Sequence, residues 1–416
     1  MISKSYIGGI IRNNMKIAVI TNLYPPISRG GAEKVAQRVV GELAKRGHEV
    51  VVISTMPFCG FNAFSPQIKE SLSETVYRFF PPNVYYVLND YKHAYPIRAI
   101  WHAIDLFSPC AVKAVEGILK IEGSEIVLTH NLKGLGLQAP RAMRKLGIPF
   151  IHTVHDIQLS VPSGLLIYGE PMLPFENLLR RPYEVAVRWA MGKPNLVISP
   201  SKFLADFYRQ RGFFKGAEVK VIRNPAPEMR SEQRALTRPA GPLKLLFAAQ
   251  LERHKGIEEI LEAINLLGTP IELHIAGDGT FRPLVEKSCQ ENSRIIYHGY
   301  VSLSDLEHLF SIVDAMVAPS RCFENSPTVI YESLQCGVPV IASDVGGIGE
   351  LVKDGENGFL VEPGNTQALA EAIKKFVDDP SLFRDREEAI RNSVSGCSLK
   401  LYVDELEKTM KEILSK

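Results

Sequence analysis

Two carboxylates eight positions apart, Glu324 and Glu332, bracket the polar middle of residues 318–343, APSRCFENSPTVIYESLQCGVPVIAS. Between them lie Ser326, Pro327 and Thr328, where the pattern predicts a helix over 328–335, stopped by Gly337 and Pro339. The spacing is a little over two turns, so the first acid sits off the helix start and the second along its side. First-turn amides have no acceptor inside the helix and favour an anion. Amides for a diphosphate, one carboxylate for sugar hydroxyls and another for ribose hydroxyls are what a sugar nucleotide requires. Lys255 supplies a cation from the loop 249–256, which also carries Gln250 and Arg253. Each group has a plainer use: Glu324 as a cap, Glu332 as a solvated acid, the basic loop as solvated surface.

These residues need a sheet behind them. Residues 16–20 form a continuous apolar run, the mark of a strand buried on both faces. Gly30-Gly31 then opens a helix over 32–46, and 48–53 is the next strand, which makes one βαβ unit. A strand over 125–128 leads to His130. Another over 149–154 leads to His155-Asp156, at the end of the strand where ligands bind in parallel sheets. A histidine at such an end can donate to a sugar hydroxyl or carry charge near a leaving phosphate, His155 first and His130 at the neighbouring strand end second; the alternative is a His-Asp pair that holds a loop. Residues 134–139 (GLGLQA) match a dinucleotide fingerprint, but after a late strand and a long loop, and nicotinamide binding is set aside. A long helix is expected over 96–119. Residues 160–193, with Arg180, Arg181, Arg188 and Lys193 among apolar groups, read either as a lid or membrane-facing segment or as a core helix with a basic outer face. A second series of strand–helix units begins at 243, after a proline-bearing linker over 226–242.

The acids and their setting resemble the family 4 retaining glycosyltransferases. Glu324-x7-Glu332 followed by Gly337-Val338-Pro339-Val340-Ile341-Ala342-Ser343 resembles their donor-site signature, and matching pieces run in order from Lys16 to about Asp379. The resemblance implies an α/β protein of GT-B fold, two Rossmann-like doubly wound parallel-sheet domains facing across a cleft. The expected organisation is a disordered extension over 1–14, an acceptor-side domain over 15–225 and a donor-binding domain over 243–399, with the helix over 400–416 crossing back. The resemblance also implies further site residues. Gly30 and Gly31 would lie at the donor phosphate and acceptor side. Asn224 would border the interdomain cleft. Gly277, Asp278 and Gly279 would lie near the nucleotide base, with the backbone of His298 facing it. The family has a Gly-Arg pair where this chain has Ala249-Gln250, so Arg253 becomes the substitute cation on the diphosphate. The expected reaction moves a sugar from a nucleoside diphosphate sugar to a hydroxyl, in cell-surface polysaccharide or glycolipid synthesis. The alternatives are a sugar-nucleotide epimerase of the same fold or a non-catalytic nucleotide-sugar-binding protein.

Bulk properties set the class. Of 416 residues 45% are hydrophobic and 23% charged, as in an ordinary globular protein. No apolar run approaches the ~18 residues of a transmembrane helix. The six scattered cysteines form no ligand spacing, which suits reduced thiols. Residues 1–225 carry 28 Lys and Arg against 16 Asp and Glu, and the remainder carries 20 against 30. A basic first half suits a lipid-linked or glycan acceptor, or an anionic membrane surface; the alternative is a solvated surface whose halves attract each other. Neither a nucleic-acid partner, nor a metal, nor a bound cofactor is expected, and the location is cytoplasmic or peripheral at the inner membrane face.

Overall fold

The computed structural model describes residues 14–28, 30–70, 74–171, 174–229, 241–268, 271–379 and 382–416. Nearly all of the expected extension over 1–14, the middle of the linker and residues 172–173 of the 160–193 segment lie outside them.

The apolar runs become strands, and two sheets result. The first holds β1 (Lys16–Ile20), β2 (Glu49–Thr55), β3 (Gln67–Glu70), β4 (Thr75–Phe79), β5 (Ile126–Thr129), β6 (Phe150–Thr153), β7 (Leu196–Ser199) and β8 (Glu218–Val221). Its order is β3-β4-β2-β1-β5-β6-β7-β8. β1 lies parallel to β2 and β5, whereas β3 pairs antiparallel with β4. The order reverses between β1 and β5, so the residues after these strands, Gly30-Gly31 and His130, belong to a topological switch point. The helix expected over 96–119 is two helices, Tyr95–Leu106 and Pro109–Glu122. Pro109 cannot continue the first helix and instead occupies the first turn of the second.

The second sheet holds β9 (Leu243–Ala248), β10 (Ile271–Ala276), β11 (Ile295–Gly299), β12 (Ala315–Ala318), β13 (Val340–Ser343) and β14 (Gly358–Val361), in the order β11-β10-β9-β12-β13-β14. Numbered within the sheet this is 3-2-1-4-5-6, the doubly wound order. Every pairing is parallel. Leu245, Ile275, Met316 and Ile341 are fully buried in its core, and each such side chain contributes about 1.5–3 kcal/mol. The order reverses between β9 and β12, so the loops that leave these two strands lie side by side.

The chain divides into two compact units. One comprises Met1–Thr153, Trp189–Leu196 and Leu406–Lys416, the other Val154–Arg188 and Val197–Glu405. The second unit thus holds the second sheet together with residues 154–188 and 197–225, which include β8 and most of β7 of the first sheet. In the first unit Glu407 pairs with Arg46 at 3.4 Å and meets His48 Nε2 at 3.1 Å.

Candidate active site

The loop after β9 carries Lys255 and the loop after β12 carries Glu324. Gly256 brings the two loops together. Its φ of +81° favours glycine, and a Cβ there would overlap the Pro319 carbonyl oxygen. Main-chain bonds add to this: Arg321 N donates to His254 O at 2.9 Å. Lys255 Nζ thereby donates to Glu324 Oε1. Ser320 Oγ donates to the same oxygen at 3.2 Å, and Cys322 Sγ lies 3.5 Å from it. The side chains of Lys255 and Glu324 are 23% and 18% exposed. Burial opposes both charges, yet each partner outweighs it for the other. Glu324 holds Lys255 above its ordinary pKa, and Lys255 holds Glu324 below its own. Burial and the neighbouring carboxylate push the Cys322 thiol up to about 12, so it stays protonated.

Four residues past Glu324 the helix Thr328–Gln335 begins. Its start is Pro327, with no side-chain cap on the first-turn amides. Ser326 Oγ and Tyr331 Oη share a hydrogen bond of 2.7 Å across that turn. Glu332 is half-buried on the helix. Lys255, Glu324 and the amide row thus lie on adjacent loops at one switch point.

His155 reaches this region through its main chain. Asn325 Nδ2 donates to His155 O at 3.0 Å, while Asn325 Oδ1 accepts from Ser201 Oγ. Asn325 is 8% exposed and was passed over in sequence; no periodicity or motif marks a single amide beside a more conspicuous acid. Asp156 shapes its own loop, its Oδ1 accepting from Gln158 N at 2.8 Å.

The other expected site residues have these settings. Arg253 is exposed and pairs with Glu258 at 3.4 Å, and Gln250 is exposed. Gly277 and Gly279 let their turn press on the loop after β9, where Cβ atoms would collide with the carbonyls of Ala249 and Leu251. Asp278 Oδ1 accepts from Gly279 N at 2.8 Å. His298 Nε2 meets His274 Nδ1 at 2.9 Å with the rings stacked, and burial and that neighbour lower the pKa of His298. Asn224 is buried next to Arg223, whose Nη2 donates to Glu350 O at 3.0 Å.

Gly30, Gly31 and His130 lie in the first unit. Gly30 N donates to Glu33 Oε2 at 2.8 Å at the start of the helix Gly31–Lys45. Burial lowers the pKa of His130 to about 4, which keeps it neutral. The fingerprint over 134–139 is packing: Gly134 N donates to Asp105 Oδ1 at 3.0 Å, and a Cβ on Gly134 would lie 2.7 Å from that of Val87.

The 160–193 segment holds a stretch laid on the loop of Glu324, and the helix Pro174–Met191. Ile167 bridges Cys322, Tyr168 N donates to Arg321 O at 2.7 Å, and Phe323 N donates to Leu166 O at 3.0 Å, so part of it straps the Glu324 loop. Arg180 and Arg188, expected on an outer face, converge with Arg211 on buried Glu184 at 3.9, 3.9 and 3.7 Å. A carboxylate in that setting needs cations, and these arginines supply them. Among the described residues no group of His, Cys, Asp and Glu could hold a metal.

Two family models match the chain, "Glycosyltransferase Family 4" over residues 29–228 and "Glycosyl transferases group 1" over 228–393. A glycogen synthase of Mycobacterium tuberculosis is 26% identical over 395 residues, covering 92% of this chain and 91% of that protein. Sucrose-phosphate synthase from Thermosynechococcus elongatus superposes with a TM-score of 0.74 at 20% identity, covering 97% of this chain and all of that one. Anabaena HepE in complex with UDP-glucose gives 0.66 at 17% identity, over 96% of this chain and all of that one.

Proposed function

This chain belongs to the family 4 glycosyltransferases, with the GT-B fold, and from that premise we propose that its donor site is the seat formed by Lys255, Glu324 and the start of the helix Thr328–Gln335. The observation that carries this reading is the Lys255–Glu324 pair, held beside uncapped amides at the switch point of the second sheet. The donor is a nucleoside diphosphate sugar, and UDP-glucose held by HepE supports that class. As the diphosphate leaves, Lys255 and the helix amides stabilise its growing charge. An ammonium has three donors, so Lys255 holds Glu324 and a phosphate oxygen together. Glu324 accepts from sugar hydroxyls and Glu332 from ribose hydroxyls. The acceptor hydroxyl attacks from the face the diphosphate leaves, the bond from the sugar to the phosphate oxygen breaks and the hydroxyl proton passes to that oxygen, with His155 to bind or polarise the acceptor, and configuration is retained.

The acceptor in this reading is a glycan or lipid-linked hydroxyl, used in polysaccharide or glycoconjugate synthesis, with the enzyme peripheral at the inner membrane face. The basic first half supports it. Among the described residues no helix is long and apolar enough to cross a membrane. A thermal-shift screen with uridine, guanosine and adenosine diphosphate sugars identifies the donor, and sedimentation with anionic vesicles tests the membrane part. Glu324→Ala and Lys255→Ala are expected to fold and to lose transfer; full activity in both refutes the assignment.

A further inference from the structure

We propose that Asn325 is a positioning residue for the transfer reaction, its side-chain amide fixing the loop of Glu324 to the strand end that carries His155. The proposal rests on the reading that these two residues serve transfer. Both ends of the amide are used. Nδ2 donates to His155 O at 3.0 Å, and Oδ1 accepts from Ser201 Oγ. The direction is set by the network. The His155 carbonyl oxygen can only accept, so the amide turns Nδ2 toward it. Oδ1 then faces Ser201 and accepts its hydroxyl proton, while Ser201 Oγ accepts from Leu204 N at 3.1 Å. The backbone at this point is pinned as well. Gly347 N donates to Glu324 O at 2.7 Å, and a Cβ on Gly347 would overlap Asn325 O. A buried amide on a fixed backbone has little freedom to move, and it joins segments 170 residues apart. Misplacement of a reacting group by ~1 Å costs roughly 100-fold in rate, so the tie acts on turnover through His155 and not on donor affinity.

The test compares kcat and the donor KM of Asn325→Ala, Asn325→Asp, His155→Ala and the Asn325→Ala/His155→Ala double variant, with melting temperature and nucleoside diphosphate affinity measured beside them. Asn325→Asp keeps the acceptor for Ser201 but sets a carboxylate against the His155 carbonyl, and it decides the matter should the alanine variant not fold. The expected result is a kcat lowered by roughly 10- to 100-fold with donor KM and nucleotide affinity near those of the parent. In the double variant the losses do not multiply, because both substitutions remove one function. Parent-like kcat in both Asn325 variants overturns the proposal. So do losses that multiply in the double variant, or a loss that lies wholly in KM. Parent-like kcat in His155→Ala overturns the role of the histidine, and with it the tie, while leaving the donor seat to stand on the Glu324 and Lys255 variants.

Discussion

A lysine and a glutamate taken out of water together hold each other's charge, and neither is comfortable alone. Removing one member of such a pair costs about 3–5 kcal/mol, because the other stays charged in a poorly solvated place. Lys255→Ala is therefore expected to lower unfolding stability by that order. Lys255→Met/Glu324→Leu is expected to recover most of it, since both charges are gone, and to remain inactive. Urea unfolding of the three variants with transfer assays beside it checks this; a double variant less stable than Lys255→Ala sinks the argument. The pH dependence follows from the same pair. Glu324 is depressed below its ordinary 4.5, so its share of stability is present above that value and is lost as pH falls through the folded pKa. Lys255 is raised above 10.5, so its share is present below that value and is lost as pH rises through its folded pKa. Between these limits the pair does not titrate. A pH–rate limb near neutrality, if transfer shows one, belongs to another group.

Elements place these residues through close backbone approach and borrowed caps. Glu350 follows the glycine turn after β13, and its two oxygens accept from Lys202 N at 2.9 Å and Phe203 N at 2.8 Å, at the start of the helix Lys202–Gln210. Glu350→Ala leaves both amides to water and is expected to cost about 1–2 kcal/mol in chemical denaturation, with donor affinity kept. No change in the denaturation midpoint would show that the cap is idle. Such a cap illustrates where sequence legibility ends. Strands read well because a doubly wound parallel sheet demands uninterrupted apolar runs, as at residues 17–20 and 245–248. Glu324 and Lys255 read well because loops at strand ends must hold the polar groups that a core cannot. Glu350 and Asn325 were not legible, since each acts on a segment more than a hundred residues away and no local pattern records the partner. The glycines at 134–139 show the converse limit. Positive φ and close approach are needed for packing on Val87 as much as for a phosphate.

On the scale of the whole molecule, the two units differ in how their buried charges answer to pH. The second unit holds its Lys255–Glu324 pair ionised across the neutral range. The first unit buries Asp105, 3% exposed, with Oδ1 accepting from Gly134 N and Oδ2 lacking a partner among the described residues. Burial raises the pKa of Asp105 from 3.8 to about 7. The unfolded chain therefore ionises first as pH rises. Below 3.8 both states are neutral and the site costs nothing. Between there and about 7 the unfolded state is increasingly favoured, and above 7 the penalty is complete. At 1.36 kcal/mol per unit the full effect is on the order of 4 kcal/mol. The Asp105 contribution is thus expected to fall from pH 5 to pH 8, opposite in sign to the gain that the neutral His102, His130 and His152 of the same unit bring up to about pH 6.5, while the Lys255–Glu324 contribution stays level. Asp105→Asn keeps the acceptor for Gly134 N and removes the ionisation, so it should stabilise the unit progressively more from pH 5 to pH 8 and gain most at pH 8. Hydrogen exchange in β1 and β5 against the same measurement in β9 and β12, at both pH values and in both proteins, separates the units. Equal pH slopes in the parent and in Asp105→Asn would show that the buried acid does not control the stability of its unit.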